Sequence, residues 1–257
     1  MKRVATALLL IPFFCYIVLW APQWAFLITV AAVGVLCFRE YADLAARHGI
    51  VKPSVLGYAA GLLLLVLPFK YGGAFFVLTA ILAMSLALRA PVLAQALPGA
   101  AALVLGIAYV FGSLRCAIDL RAIHPYWLFF ALSLNWAGDI AALYVGRASG
   151  RHKLAPEVSP GKSWEGFIAS TLASVIYGLI YFRWLLPAAP LAGALGLTVV
   201  ANVAGQLGDL CESAMKRGAG VKDSGTLLPG HGGWLDRVDS SLFALPVVYV
   251  VVAAFGW

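Results

Sequence analysis

Apolar residues fall in long blocks along this chain, and the charges collect between them. Nine blocks approach membrane-crossing length: 4–20, 23–38, 54–68, 73–89, 98–114, 124–146, 164–186, 190–210 and 239–256. A crossing helix needs roughly 20 mainly apolar residues, fewer where flanking side chains snorkel. The third and fourth blocks are short. Pro22, Pro53, Pro91, Pro98, Pro125, Pro187 and Pro190 stand at or near block ends, where a missing N–H is tolerated. The pattern predicts an all-α integral membrane protein with about nine transmembrane helices. Met1, Lys2 and Arg3 ahead of the first block mimic a signal peptide. The apolar run to Trp20 is longer than a typical signal core, and further blocks follow at once, which predicts an uncleaved first helix. No internal repeat or low-complexity linker interrupts the series.

The charges orient these blocks. Taking alternate connections, one side holds Lys2, Arg3, Arg39, Arg47, Lys52, Arg89, Arg147, Arg151, Lys153, Lys162, Lys216, Arg217, Lys222 and Arg237, which is 14 of the 18 Lys and Arg. The other side keeps Lys70, Arg115, Arg121 and Arg183. The positive-inside rule puts the first side, and the N-terminus with it, in the cytosol. Nine spans then leave the C-terminus outside. The basic loops 147–163 and 211–238 face the compartment that holds nucleotides. Acidic residues divide the chain differently: Glu40, Asp43 and Asp119 precede His124, and the other eight of 11 follow it. Residues 1–123 therefore read as a transmembrane scaffold and candidate oligomer contact, and residues 124–257 as the catalytic region. Gly57-Tyr58-Ala59-Ala60-Gly61 is a GxxxG pattern that lets two helices approach closely, within one chain or between two.

Composition agrees with a lipid environment. The chain is 63% hydrophobic and 11% charged, against about 25% charged residues in soluble domains. A soluble core of 257 residues cannot hide that much apolar surface. The net charge of +7 then marks cytosolic loops and contacts with anionic headgroups or phosphates rather than nucleic acid. Cys15, Cys37, Cys116 and Cys211 show no paired spacing, which argues against a disulfide framework or a zinc site.

Three segments carry candidate chemistry. In the eighth block, Asn202, Gln206, Asp209, Ser213 and Lys216 recur every three or four residues and share one helix face. Such a stripe lines a site or forms an interhelical hydrogen-bond seam. Asn135 and Asp139 repeat the spacing in the sixth block, where Asp139 either touches a ligand or pairs structurally, for instance with Arg147. The segment Ser159-Pro160-Gly161-Lys162-Ser163 resembles part of a P-loop but lacks its first glycine, that place being Pro156, and no strand is predicted before it. Gly161 still permits a tight turn, so Ser159, Lys162, Ser163 and the following helix start are candidate phosphate ligands; the alternative is a basic loop lying on anionic lipid.

The densest segment is Ser213 to Asp239, SAMKRGAGVKDSGTLLPGHGGWLDRVD. Asp236 and Asp239 are three apart and share a helix face. With Asp209 they make a carboxylate cluster without His or Cys ligands, and hard oxygen donors favour magnesium over zinc. Lys216, Arg217, Lys222 and Arg237 offset polyphosphate charge, arginine being suited to bidentate contact. Ser213, Asp223 and His231 complete the candidate contacts, with His231 either bracing the loop or donating to phosphate. The pattern S-x-x-K-R-x4-K-D-x-G-x2-L-P-x-H-G-G-x-x-D-R-x-D resembles the signature of the phosphatidate cytidylyltransferase, or CDP-diacylglycerol synthase, family. SPGKSWEG at 159–166, HKLAP at 152–156 and GDLCES at 208–213 resemble its other pieces. The likeness covers the chain from Trp136 on, with hydropathy alone agreeing before that. Trp234 stands where the family usually has an aliphatic residue or Phe. Leu143 stands where it usually has Tyr, with Tyr144 one place further on.

The resemblance implies an integral membrane enzyme that joins CTP and phosphatidic acid to give CDP-diacylglycerol and pyrophosphate. It implies Mg2+ and a second, monovalent cation such as K+, carboxylate ligands at Asp209 and Asp236 with Asp239 close by, and a homodimer. Asp209, Asp236, Lys216, Lys222 and Arg237 are then the expected catalytic set. Rival readings are an ion-coupled transporter, the same reaction on an ether-lipid phosphate, and a CDP-alcohol phosphotransferase. The last lacks its DG-x2-AR hallmark here, and the first lacks internal symmetry.

Overall fold

The computed structural model describes residues 12–53, 55–90, 92–227 and 232–257. In chain order its helices are α1 (Gln23–Arg47), α2 (Val55–Val66), α3 (Gly72–Ala87), α4 (Leu93–Ile123), α5 (Pro125–Ser149), α6 (Trp164–Trp184), α7 (Leu191–Gly218) and α8 (Leu235–Phe255). An antiparallel hairpin, β1 (Lys153–Ala155) and β2 (Ser159–Ser163), joins α5 to α6. Residues 12–19 are helical. Residues 4–11 of the first predicted span and His231 lie outside the described residues.

Among the described residues six helices, α1 and α4 to α8, are long and apolar enough to cross a membrane. The helices α2 and α3 have 12 and 16 residues. At 1.5 Å per residue they reach about 18 and 24 Å, short of a hydrocarbon core of roughly 30 Å. Large apolar side chains such as Val55, Leu88, Leu93 and Trp184 point outward, the surface a lipid solvent accepts. Phe38, Phe111, Phe130 and Phe182 are fully buried between the helices.

Three helices run well past the ends of their hydropathy blocks. The first long helix continues from residue 38 to Arg47, α4 from 114 to Ile123, and α7 from 210 to Gly218. A hydropathy block stops at the first charge, but a helix need not stop if that charge finds a partner inside the fold. Glu40, Arg121 and Lys216 all lie in these extensions and are buried. In consequence the connection between α7 and α8 spans 219–234, and both ends of the charged stretch 213–239 are helical.

Two arginines of α4 close helix ends. Arg115 Nη1 donates to the Leu65 and Leu67 carbonyls at 2.9 and 2.7 Å, while its guanidinium pairs with Asp119 at 2.8 Å. Arg121 donates to the carbonyls of Val18 (2.8 Å) and Ala21 and to Gln23 Oε1 (3.0 Å), 4.4 Å from the Phe26 ring. These are C-terminal carbonyls that a helix cannot satisfy itself. Between them and the start of α4 lies a π-helical stretch, Ile107–Gly112, with Ile107, Val110 and Phe111 fully buried. The GxxxG pattern works inside the chain: a Cβ on Gly57 would meet Phe38 Cζ at 2.5 Å, and one on Gly61 would enter the Phe111 ring.

Candidate active site

The polar stripe of α7 divides into two parts. Its upper part is a seam. Asn202 is buried, its Nδ2 donating to Ser170 (3.2 Å) and Ser174 (2.9 Å) on α6. Its Oδ1 accepts from Thr171 Oγ1 (3.2 Å) and Gln206 Nε2 (2.7 Å). Both Asn202 and Gln206 thus serve helix packing. Gly138 on α5 lets that helix join: a Cβ there would lie 2.7 Å from Asn202 Nδ2 and 3.0 Å from Ser174 Oγ.

The lower part carries the charges. Asp209 Oδ2 pairs with Lys162 Nζ at 2.8 Å, and Ser213 Oγ donates to Asp209 Oδ1 at 3.3 Å. Lys216 is buried, its ammonium held between Glu212 and Asp236 Oδ1, the latter at 2.6 Å. Glu212 is 0% exposed, and its Oε1 has no hydrogen-bond partner among the described residues. Lys216 therefore joins α7 to α8 instead of projecting toward solvent.

Lys162 reaches Asp209 because the 147–163 connection is not an open loop. It folds as the hairpin, registered with Lys153 opposite Ser163. Ser163 ends β2 and caps α6, its Oγ accepting the Gly166 N–H at 3.1 Å. His152 is bonded to Glu165 at 2.7 Å, which ties the start of the hairpin to α6. Arg217 donates to the Val158 carbonyl (3.3 Å) and the Val221 carbonyl (3.0 Å), fastening the hairpin tip to the end of α7. Ser159 sits on β2 beside this contact.

Ser224 and Gly233, in the connection between α7 and α8, meet the first turn of α8. Asp236 Oδ2 accepts the N–H groups of Ser224 (2.9 Å) and Gly233 (2.7 Å). Gly232 has φ +81°, and a Cβ there would lie 2.7 Å from Asp236 Oδ2; both the conformation and the space call for glycine. Lys222, Asp223 and Arg237 are exposed. Asp239 Oδ1 accepts the Ser240 N–H at 2.6 Å. The helices α7 and α8 cross closely at Gly208, where a Cβ would meet the Asp239 carbonyl at 2.7 Å.

Beside these carboxylates lies a cavity of about 460 Å³. Residues such as Phe14, Val30, Leu114 and Phe129 form its apolar flank, and Asn135, Asp139, Asp236, Arg237, Asp239 and Ser240 its polar end. Asn135 is buried and its Nδ2 has no partner among the described residues. Asn135 Oδ1 packs on Gly205 of α7.

Two functional contributors escaped the sequence reading. Glu212 sits four residues before Lys216, a spacing that signals an ion pair on a helix. Glu40 stands beside Arg39 and near Asp43 at the charged end of its helix, where it reads as an ordinary solvated residue. It is buried and accepts three hydrogen bonds from the far end of the chain.

Asp209 lies within electrostatic range of both Asp139 and Asp239. Among the described residues no group of three or more His, Cys, Asp or Glu is arranged to hold a metal ion. Magnesium commonly takes only one or two carboxylates and fills its shell with phosphate oxygens and water. Asp209 and Asp239, like charges near one another, fit that smaller donor set. Asp209 and Asp236 each hold an ammonium, from Lys162 and Lys216, and either would take a metal by releasing it; Asp236 also accepts two N–H groups.

Acidic and basic side chains at one end of an amphipathic cavity, in a bundle of apolar helices, define a helical membrane protein with a polar site. The chain belongs to the cytidylyltransferase family, whose sequence profile matches residues 1–255. The phosphatidate cytidylyltransferase of Bacillus subtilis strain 168 is 32% identical over 268 residues, covering 99% of this chain and 98% of that protein. That of Staphylococcus saprophyticus is 40% identical over 153 residues, 60% of this chain and 59% of that protein. That of Haemophilus influenzae is 42% identical over 148 residues, 54% of this chain and 51% of that protein.

Proposed function

We propose that this protein transfers a cytidylyl group from CTP to phosphatidic acid, giving CDP-diacylglycerol and pyrophosphate for phospholipid synthesis. The observation that carries the proposal is the convergence of four elements at the polar end of the cavity. The start of α8 lines it with Asp236, Arg237 and Asp239, and α5 with Asp139; the hairpin's Lys162 and α7's Asp209, paired with each other, stand just behind, within electrostatic range of Asp139. The family membership and the full-length likeness to a phosphatidate cytidylyltransferase support the same reading.

In this reading the lipid phosphate attacks the α-phosphorus of CTP and pyrophosphate leaves. A phosphate monoester has a second pKa of about 6, so the nucleophile is already ionised and needs no general base. The residues' task is positioning and charge neutralisation. Lys162, with the exposed Lys222 and Arg237, draws the two anions together; Ser159, Ser163, Ser213, Arg217, Asp223 and His231 shape the phosphate site around them. Lys216 holds α8 in register with α7. Asn135 turns its unpartnered Nδ2 toward an oxygen of the lipid head, while the acyl chains lie along the apolar flank. Asp209, Asp239 and, on releasing Lys216, Asp236 are the carboxylates proposed to hold magnesium, which when bound neutralises triphosphate oxygens and the leaving pyrophosphate. A monovalent cation and a homodimer complete the proposal.

The proposed topology has nine spans, the N-terminus and the site in the cytosol, and the C-terminus outside. It rests on the 14-to-4 asymmetry of Lys and Arg. The division into a scaffold, 1–123, and a catalytic region, 124–257, is proposed with it.

The test is direct. Purified protein receives labelled CTP, phosphatidate and magnesium, and lipid-extractable cytidine is measured. The proposal expects such a product with release of pyrophosphate. No product, with an active relative as control, would overturn it in favour of a transporter; preference for an ether-linked phosphatidate would change only the lipid.

A further inference from the structure

Glu40 lies on α1, in the half of the chain read as scaffold, and is buried. Its Oε2 accepts from Ser224 Oγ at 2.7 Å and the Leu235 N–H at 2.9 Å, and its Oε1 accepts the Trp234 N–H at 3.0 Å. Trp234 and Leu235 begin α8, where N–H groups have no acceptor within their own helix. A carboxylate is favoured at that end of the helix dipole. The donors are 184 to 195 positions further along the chain. Glu40 thus caps α8 from another helix and grips both ends of the segment 224–235.

The fit is specific. A Cβ on Gly225 would meet three Glu40 atoms at 2.5, 2.8 and 3.2 Å, and one on Gly233 would run into Glu40 and Ser224. Ser224 is held from two sides: its hydroxyl by Glu40 and its N–H by Asp236. Ser224 and Gly225 on one side and Gly233 to Leu235 on the other close on one carboxylate, with Asp236 and Arg237 directly behind.

We propose that Glu40 is a positioning residue for the transfer reaction. It docks segment 224–235 on α1 and so sets where Asp236, Arg237 and Asp239 stand relative to α7. It touches no reacting group, and the inference rests on the function proposed above. The docked segment loosens when Glu40 is lost, and misplacement by about 1 Å can cost about 10²-fold in rate.

The full-length protein in detergent tests this with Glu40→Ala, Glu40→Gln, Gly225→Ala and the Glu40→Ala/Gly225→Ala double variant. Glu40→Ala should lower kcat by about 10²-fold, with a much smaller change in the KM for CTP, and Glu40→Gln should fall between. Hydrogen exchange should rise in 221–235 and stay unchanged in α5 to α7. Gly225→Ala should act alike while Glu40 is present, because its methyl enters the carboxylate's place. It should add nothing in the Glu40→Ala background, where that place is empty. If Glu40→Ala does not fold, Gly225→Ala alone carries the comparison of kcat, KM and exchange. The proposal fails if kcat of Glu40→Ala stays within about threefold of the parent, if the two losses multiply, or if exchange rises uniformly through the helices. Exchange is read without turnover. A parent that makes no lipid-linked cytidine would sink the proposed reaction, while the exchange data would still decide whether Glu40 holds the segment.

Discussion

Removing the Lys216 ammonium separates a structural role from a substrate-binding one. Lys216→Met keeps much of the side chain's length and apolar stem but deletes the charge. The ammonium lies between Glu212 and Asp236, whose side chains are 0% and 5% exposed. Taking one partner from a buried ion pair costs about 3–5 kcal/mol, because the other charge is left uncompensated. Here two carboxylates are left, so the upper part of that range is expected. At roughly 2–4 °C per kcal/mol for a chain of this size, thermal unfolding in detergent should move down by roughly 10–15 °C. Replacing Glu212 by Gln in the same chain removes one stranded charge and should recover part of the loss. The assay is thermal unfolding of the parent, Lys216→Met and Glu212→Gln/Lys216→Met, with cytidylyl transfer measured on each. If Lys216→Met unfolded at the parent's temperature and merely raised the KM for CTP, the lysine would be a phosphate ligand and the structural reasoning would be wrong.

Three further outcomes are expected. Asp209→Asn should abolish turnover while the protein stays folded in detergent; near-normal activity would remove Asp209 from the site. Asn202→Leu leaves Ser170, Ser174 and Thr171 without their partner and should cost about 2–3 kcal/mol, seen as a lower unfolding temperature with both KM values unchanged. Gly208→Ala drives a methyl toward the Asp239 carbonyl and the Phe243 ring, at 2.7 and 2.9 Å. A backbone atom cannot turn aside, so α8 should shift from Asp209, with about 1–3 kcal/mol of destabilisation and a fall in kcat read in the same transfer assay.

Much of this was legible in the sequence. The spacing of Asn202, Gln206, Asp209, Ser213 and Lys216 correctly put them on one face of a helix. It did not say which would be consumed by packing, since that depends on Ser170 and Ser174 arriving from α6. The hydropathy blocks located the long helices but ended at Arg39, Arg115 and Cys211. What carries α1, α4 and α7 further is pairing across the chain, as between Glu40 and Leu235, and no window along one segment can register that. The hairpin has strands of three and five residues, too short to show alternation, so Lys162 looked like part of a loop. Its partnership with Asp209 is a tertiary fact. The pairing of Lys216 with Glu212 was visible in their four-residue spacing, whereas its contact with Asp236 of α8 is again a tertiary fact.

The arginine caps of α4 also bear on how the chain is built. Arg121 bonds to the carbonyls of Val18 and Ala21, which leave the ribosome 103 and 100 residues before it. Arg115 does the same for Leu65 and Leu67, 50 and 48 residues earlier. Until α4 has been synthesised, those helix ends have only water or headgroups to satisfy their carbonyls. The first helices can enter the bilayer one by one, but their ends stay unfinished until α4 closes over them. A nascent chain stalled before Arg115 should therefore be a substrate for quality-control proteases rather than a stable membrane fragment, and the N-terminal bundle should mature in a single late step.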